Sequence, residues 1–190
     1  MIALVPTKAT QEAKSRLALP APLHDDLVTA MREDVLAALR DSPRIDRVVV
    51  VDEPGGLNAA LRAAAARLAV TDPTSPVVVV PADLAALTTT TLDAALADAT
   101  TALAPTGLAF VRDAEGTGTS LLVAATPDRL DPRYGPGSAA AHARTATEID
   151  ADPRVRRDVD TLADLYTATA LGLGPACAGA LSAAATTGAR

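Results

Sequence analysis

Three carboxylates stand out as groups that could do chemistry together. Asp158 and Asp160 lie two apart in Arg156-Arg157-Asp158-Val159-Asp160-Thr161, and in an extended segment such residues point the same way while Val159 points to the other side. Two close, unpaired carboxylates repel and raise one pKa, so a shared divalent cation is their natural companion. Asp83 stands just where the apolar run Val77-Val78-Val79-Val80 has ended. It would supply a third oxygen and complete a Mg²⁺ site. Plainer readings exist: Asp83 as the cap of the following turn, and Asp160 as a neighbour of the cap Thr161 provides for the next helix.

Two loops between these acids are rich in glycine and hydroxyls. Gly116-Thr117-Gly118-Thr119-Ser120 and Tyr134-Gly135-Pro136-Gly137-Ser138 can turn backbone N–H groups and hydroxyls toward an anion. Ser138 can cap a short helix through His142 and Arg144, whose N-terminus adds positive potential. A small acidic substrate between the two loops is physically reasonable, although the first loop is equally legal as a hairpin turn with no ligand. His142 reads as a surface or supporting group rather than a catalytic base, and His24 as an exposed side chain.

Lys8, Lys14 and Arg16 make a cationic loop after the first apolar segment, suited to a triphosphate. The glycines of a Walker loop are absent, and solvated surface lysines are the alternative. Further on, Gly55-Gly56 precedes Leu57-Asn58-Ala59-Ala60-Leu61. A glycine pair lets the backbone approach a flat group such as a purine base, whose edge Asn58 could bond, although the same pattern serves ordinary helix capping.

These groups need elements to hold them. Four consecutive valines cannot show one wet and one dry face, so Val77 to Leu84 is expected to carry the central strand of a parallel sheet covered by helices on both sides. Open sheets of this kind bind ligands beyond the carboxyl ends of their strands, which is where Asp83 falls. Further strands are expected at Ile2 to Val5, Arg47 to Val51, Gly107 to Val111 and Leu121 to Ala124. Helices are expected at Pro22 to Arg40, from Leu57 to about Leu68, after Thr88 to Thr91, and at Leu162 to Leu171. The segment from Gly172 to Arg190 is rich in Ala and Gly and carries no readable chemistry, so a loose tail is expected there.

Composition narrows the function classes. A chain of 190 residues with no linker-like stretch suits one domain. With a formal charge of −6, one Phe, two Tyr and no Trp, it offers neither a basic surface nor aromatic platforms for nucleic acid. No apolar run is long enough to span a bilayer, and the N-terminus does not read as a secretory leader. A single cysteine, Cys177, fits a reducing cytoplasm.

Taken in order, Lys14-Ser15-Arg16-Leu17, Gly56-Leu57-Asn58-Ala59-Ala60-Leu61, Ala82-Asp83-Leu84, Gly116-Thr117-Gly118-Thr119, Tyr134-Gly135-Pro136-Gly137-Ser138 and Asp158-Val159-Asp160-Thr161 resemble the guanylyltransferases of coenzyme F420 biosynthesis. Those enzymes join GMP from GTP to phosphoenolpyruvate or 2-phospho-L-lactate and release pyrophosphate. The resemblance runs to about Pro175. It implies a Rossmann-like, GT-A-like α/β nucleotidyltransferase fold, a three-layer sandwich around a mixed, mostly parallel sheet. One such domain would occupy residues 1–175, with a tail at 176–190. It further implies Mg²⁺ on Asp83, Asp158 and Asp160, the triphosphate near Lys14 and Arg16, the base near Leu57 and Asn58, and the phosphorylated acid on Thr119, Gly135 and Ser138.

The chain also departs from the family pattern. Family members place a strand, a short helix and another strand between the first long helix and the GLNAAL segment, whereas here one valine run passes straight into Asp52-Glu53-Pro54-Gly55-Gly56. About one strand-helix unit is absent, and ADLP is replaced by ADLA. Two alternatives stay open: another nucleotidyltransferase on this scaffold, such as a molybdopterin guanylyl- or cytidylyltransferase, and a GTP-binding protein without catalysis. The partners expected are GTP and a small phosphorylated acid, with no nucleic acid and no membrane. A homodimer is left open, and the location expected is cytoplasmic.

Overall fold

The computed structural model describes residues 1–7 and 17–188. Its six strands are β1 (Ile2–Pro6), β2 (Arg47–Val51), β3 (Val77–Val79), β4 (Leu108–Arg112), β5 (Thr119–Ala124) and β6 (Thr147–Ile149). They form one sheet in the order β2-β1-β3-β5-β4-β6. β1 pairs in parallel with β2 and β3, and β4 in parallel with β6, while β5 runs antiparallel to both β3 and β4. The sheet is mixed and mostly parallel, as expected.

Alternation along the strands divides the core into two layers. Ala3, Val5, Val78, Val80, Ala109, Val111, Leu121 and Val123 face one side. Ile2, Leu4, Val77, Val79, Leu108, Phe110, Leu122 and Ala124 face the other. The first layer is covered by α1 (Ala21–Asp41) and α3 (Thr89–Ala102), the second by α2 (Leu57–Thr71). This explains the unbroken valine run: every one of Val77 to Val80 is fully buried. The strand proper is shorter than the run, but Val80 N–H still reaches Leu4 C=O at 3.0 Å and extends the ladder by one residue before the chain turns at Asp83.

Helix boundaries follow local chemistry. Thr88 caps α3 through a reciprocal bond with Thr91, as the threonine run predicts. Four further helices complete the chain: α4 (Ser138–His142), α5 (Pro153–Arg156), α6 (Leu162–Leu171) and α7 (Pro175–Gly188). The sequence reading did not expect β6 or α5. Both are very short, although the Asp152-Pro153 pair that starts α5 is a regular helix-opening signal, with Asp152 accepting the Arg154 N–H.

The expected loose tail is instead the helix α7, docked along α1. A carboxylate on α1 does this. Asp34 is buried and accepts the backbone N–H groups of Ala176 and Cys177, each at 2.9 Å, in the first turn of α7. Pro175 needs no acceptor there because it has no N–H. Gly174 gives Asp34 room, since a side chain at that position would run into its carboxylate. Leu17, Leu27, Met31, Val159, Leu165, Ala168 and Cys177 form a third apolar cluster under this helix.

At the opposite edge, β2 is a boundary strand. Val50 is 47% exposed, and the chain passes from Val51 through Gly55 and Gly56 directly into α2, where an extra strand-helix unit was expected to be missing.

Replacing Asp34 by Ala leaves two helix-terminal N–H groups without their buried acceptor. A loss of about 2 kcal/mol in urea unfolding is expected, and a variant as stable as the parent would show that α7 does not depend on this bond.

Candidate active site

Asp83, Asp158 and Asp160 come together because of one backbone bond. Val159 N–H reaches the Asp83 carbonyl at 3.2 Å, with the Val159 side chain fully buried. Its neighbours Asp158 and Asp160 both line a cavity of about 320 Å³ with Asp83, as alternation predicts. Thr161 anchors the far end of the segment. It caps α6 in a reciprocal box with Asp164, whose carboxylate accepts the Thr161 N–H at 2.9 Å and is itself paired with Arg157 at 2.9 Å.

The cavity is acidic. Asp113 joins the trio on its wall, and no basic side chain is among the described lining residues. Burial, and then the neighbouring charges of Asp83 and Asp160, push Asp158 up to about 7. The expected raised pKa is therefore present, with burial as its larger cause. The acids are not a finished cage, however. Among the described residues, no three potential ligand side chains are gathered closely enough to hold an ion by themselves. A hard cation that shares its coordination with phosphate oxygens needs only one or two carboxylates from the protein. The all-oxygen donor set of Asp83, Asp158 and Asp160 fits a hard divalent cation in that mode.

The same cavity is lined by Thr119, Tyr134, Gly135 and Ser138, with Leu57 and Pro6 also on the wall. The two glycine loops are stitched together, Ala139 N–H bonding Thr117 C=O at 3.1 Å. Their backbone amides are less available than the sequence implies: Thr117 N–H goes to Asp113 Oδ1 at 3.0 Å and Gly116 N–H to the Asp113 carbonyl. The first loop is thus a self-satisfied hairpin turn whose chemical offering is Thr119. In the second, Gly137 at φ +74° is the cap, and Ser138 is the first helical residue rather than the cap itself. The helix stops at His142, short of the expected Arg144.

Two side chains have roles the sequence did not suggest. Asn58 bonds the Tyr134 backbone from both ends of its amide, N–H to C=O and C=O to H–N, each at 2.8 Å. It braces the second loop against α2 rather than presenting that pair of groups to a base. His142, expected near the surface, is almost fully buried. It lies 5.6 Å from the Tyr134 ring and 6.0 Å from the Phe110 ring. Nδ1 is 2.8 Å from Thr119 Oγ1, and Nε2 accepts the Arg133 N–H at 3.0 Å. Burial, followed by the charge of Arg133, pushes its pKa down to about 4. Lys8, Lys14 and Arg16, the expected triphosphate contacts, lie outside the described residues. A larger groove of about 720 Å³ between α1 and α7 offers, among the described residues, Asp26 and Glu33 as its ionisable groups.

The sheet order and the placement of this cavity define a class. The chain superposes on a protein described as a nucleotide-diphospho-sugar transferase from Desulfovibrio desulfuricans with a TM-score of 0.64, at 15% identity, covering 93% of this chain and 92% of that one. It superposes on a 4-diphosphocytidyl-2C-methyl-D-erythritol synthase with a TM-score of 0.57, at 16% identity, covering 90% and 97%. The fold is that of the nucleotide-diphospho-sugar transferases. No protein-family model matches the chain. Among named relatives, it is 41% identical to the phosphoenolpyruvate guanylyltransferase of Streptomyces coelicolor, over 90% of this chain and 91% of that enzyme. To the enzyme of the same name from Rhodococcus erythropolis it is 38% identical, over 96% of each. The chain belongs to the phosphoenolpyruvate guanylyltransferase family. The Rhodococcus alignment runs over 219 positions against the 190 residues here, so that relative carries residues this chain lacks.

The depressed pKa of His142 sets an acid limit. The folded protein keeps this ring neutral down to about 4, whereas an unfolded chain protonates it near 6.5. Stability from this source is therefore full above about pH 6.5 and is lost as pH falls toward 4. His142→Gln should show a shallower loss of melting temperature than the parent across that window. Parallel curves would remove His142 from the acid response.

Proposed function

We propose that this protein transfers GMP from GTP to phosphoenolpyruvate, or to the closely related 2-phospho-L-lactate, releasing pyrophosphate. Family membership supports the reaction. The observation that carries the reading is one cavity lined both by the carboxylate residues Asp83, Asp158 and Asp160 and by the hydroxyl residues Thr119 and Ser138. Such a cavity suits two reactants that are both anionic yet have to be held differently.

A phosphate oxygen of the acid attacks the α-phosphorus of GTP in line. The new P–O bond forms as the α–β bridging bond breaks, and its electron pair leaves with pyrophosphate. The demands are alignment and charge neutralisation, with no side-chain nucleophile. Asp83, Asp158 and Asp160 are the residues that would hold Mg²⁺, which offsets the charge of the reacting phosphates when bound. Val159 keeps the two neighbouring carboxylates aimed into the cavity by anchoring their backbone to Asp83. Thr119, Gly135 and Ser138 receive the acid, while Leu57 and the Gly55-Gly56 turn border the space for the base. Asn58 supports that space indirectly by fixing the Tyr134 loop. Lys14 and Arg16 are assigned to the β and γ phosphates on the motif they belong to. The site faces a soluble nucleotide and a soluble acid, and we place the reaction in the cytoplasm. Among the described residues no single helix is long and apolar enough to cross a membrane.

The absence of one strand-helix unit beside β2 favours a second reading, a protein that binds GTP without turning it over. The two are separated by measuring pyrophosphate release from GTP and Mg²⁺ with each acid offered alone. Release with one acid, lost by at least a hundredfold in Asp160→Ala at an unchanged melting temperature, is the expected result. Retained turnover in that variant would sink the metal assignment. No release with either acid, while GTP still raises the melting temperature, would establish the binder.

A further inference from the structure

We infer that His142 fixes the Thr119 hydroxyl as a hydrogen-bond donor toward the cavity, which makes His142 a positioning residue for the reactant that Thr119 meets. That this reactant is the phosphorylated acid rests on the guanylyl-transfer reading; the hydrogen-bond direction does not.

The direction follows from counting protons. Nε2 of His142 accepts the backbone N–H of Arg133 at 3.0 Å, and a ring nitrogen that accepts carries no hydrogen. A neutral imidazole has one N–H, so it resides on Nδ1 and points to Thr119 Oγ1, 2.8 Å away. The opposite arrangement, with Thr119 donating to Nδ1, would strip both nitrogens of hydrogen. Protonating the ring would instead set an N–H against the Arg133 N–H. The ring is held in this orientation by Phe110 and Tyr134, two of the three aromatic residues in the chain. Having accepted from His142, the Thr119 hydroxyl keeps its own proton to give, and the wall it occupies is that of the cavity.

A fixed donor favours an oxygen that only accepts. The phosphorylated acid offers such oxygens. His142 is thus a positioning residue: it touches no reactant and acts through Thr119.

Two measurements test this. The ¹⁵N resonances of His142, one of two histidines in the chain and assignable by its loss in His142→Gln, should report hydrogen on Nδ1 and a bare Nε2 from pH 8 to pH 5. The other tautomer, or a mixture, overturns the inference whatever the enzyme does. In steady-state kinetics, His142→Gln can still meet the Arg133 N–H but leaves Thr119 without its donor. It should raise KM for the acid about tenfold, the worth of one hydrogen bond to a charged group, with kcat and KM for GTP within about twofold. His142→Asn, whose amide nitrogen falls near the Nδ1 position, should recover most of that affinity. An unchanged KM in His142→Gln, or equal loss in both variants, overturns the positioning role. If the unmodified protein releases no pyrophosphate with any acid, the guanylyl-transfer reading falls and takes the identity of the reactant with it, while the tautomer measurement still decides the direction of the bond.

Discussion

The site depends on a single junction between segments far apart in the chain, the bond from Val159 N–H to the Asp83 carbonyl. A strand end and a loop some seventy residues later have no reason to meet unless the backbone itself is tied. Burial of the Val159 side chain drives the contact, and the bond sets its register. A slip of one residue would bury Asp158 or Asp160 in the apolar cluster under α7 and turn Val159 into the cavity, because the side-chain period of an extended segment is two. Arg157, Thr161 and Asp164 then hold the segment from its C-terminal side, so its freedom is removed at both ends.

This explains why an acidic cavity can persist in the folded protein. Mutual repulsion and burial raise the pKa of Asp158, a cost in stability that a relaxed chain would avoid by letting the carboxylates swing apart. Here the backbone is held elsewhere: by Val159, by the capping box of α6, and by α7 locked down through Asp34. The packing of apolar side chains on the far side of the segment maintains an arrangement that is electrostatically unfavourable unless a cation complements it.

The parts of this molecule that are legible in sequence are those governed by local periodicity. The unbroken valines of β3, the helical spacing in α1 and the alternation around Val159 each require only neighbouring residues to be understood. Thr88 and Thr161 announce their helices for the same reason. What escaped prediction depends on partners brought close only by folding. His142, in a short helix, reads as either a surface or a supporting group, and only folding decides for the second by closing Phe110, Thr119 and Arg133 around it. Asn58 has the look of a group presented to a ligand, and the loop it braces lies 76 residues onward. The helix α7 is masked by its own composition, since a run of Ala and small polar residues shows no distinct stripe until Asp34 gives it a place to begin. In the Gly116 loop, glycines and hydroxyls were visible, but not that Asp113 would occupy the amides.

One topological feature shapes the cavity in a further way. In this sheet β5 runs against its neighbours, so the rim that receives the ends of β1 and β3 receives the beginning of β5. Thr119 is the first residue of that strand, delivered by a hairpin turn rather than by a crossover helix. The sheet thus splits into two halves that meet at the β3–β5 seam, one built of parallel crossovers with Asp83 at its tip and one entered through a short turn. Because a hairpin turn can change length or composition without disturbing the helices that cover the sheet, the wall around Thr119 is mechanically separable from the half that carries Asp83. A scaffold divided in this way can redraw one side of its cavity by altering one turn while the other side stays as it is.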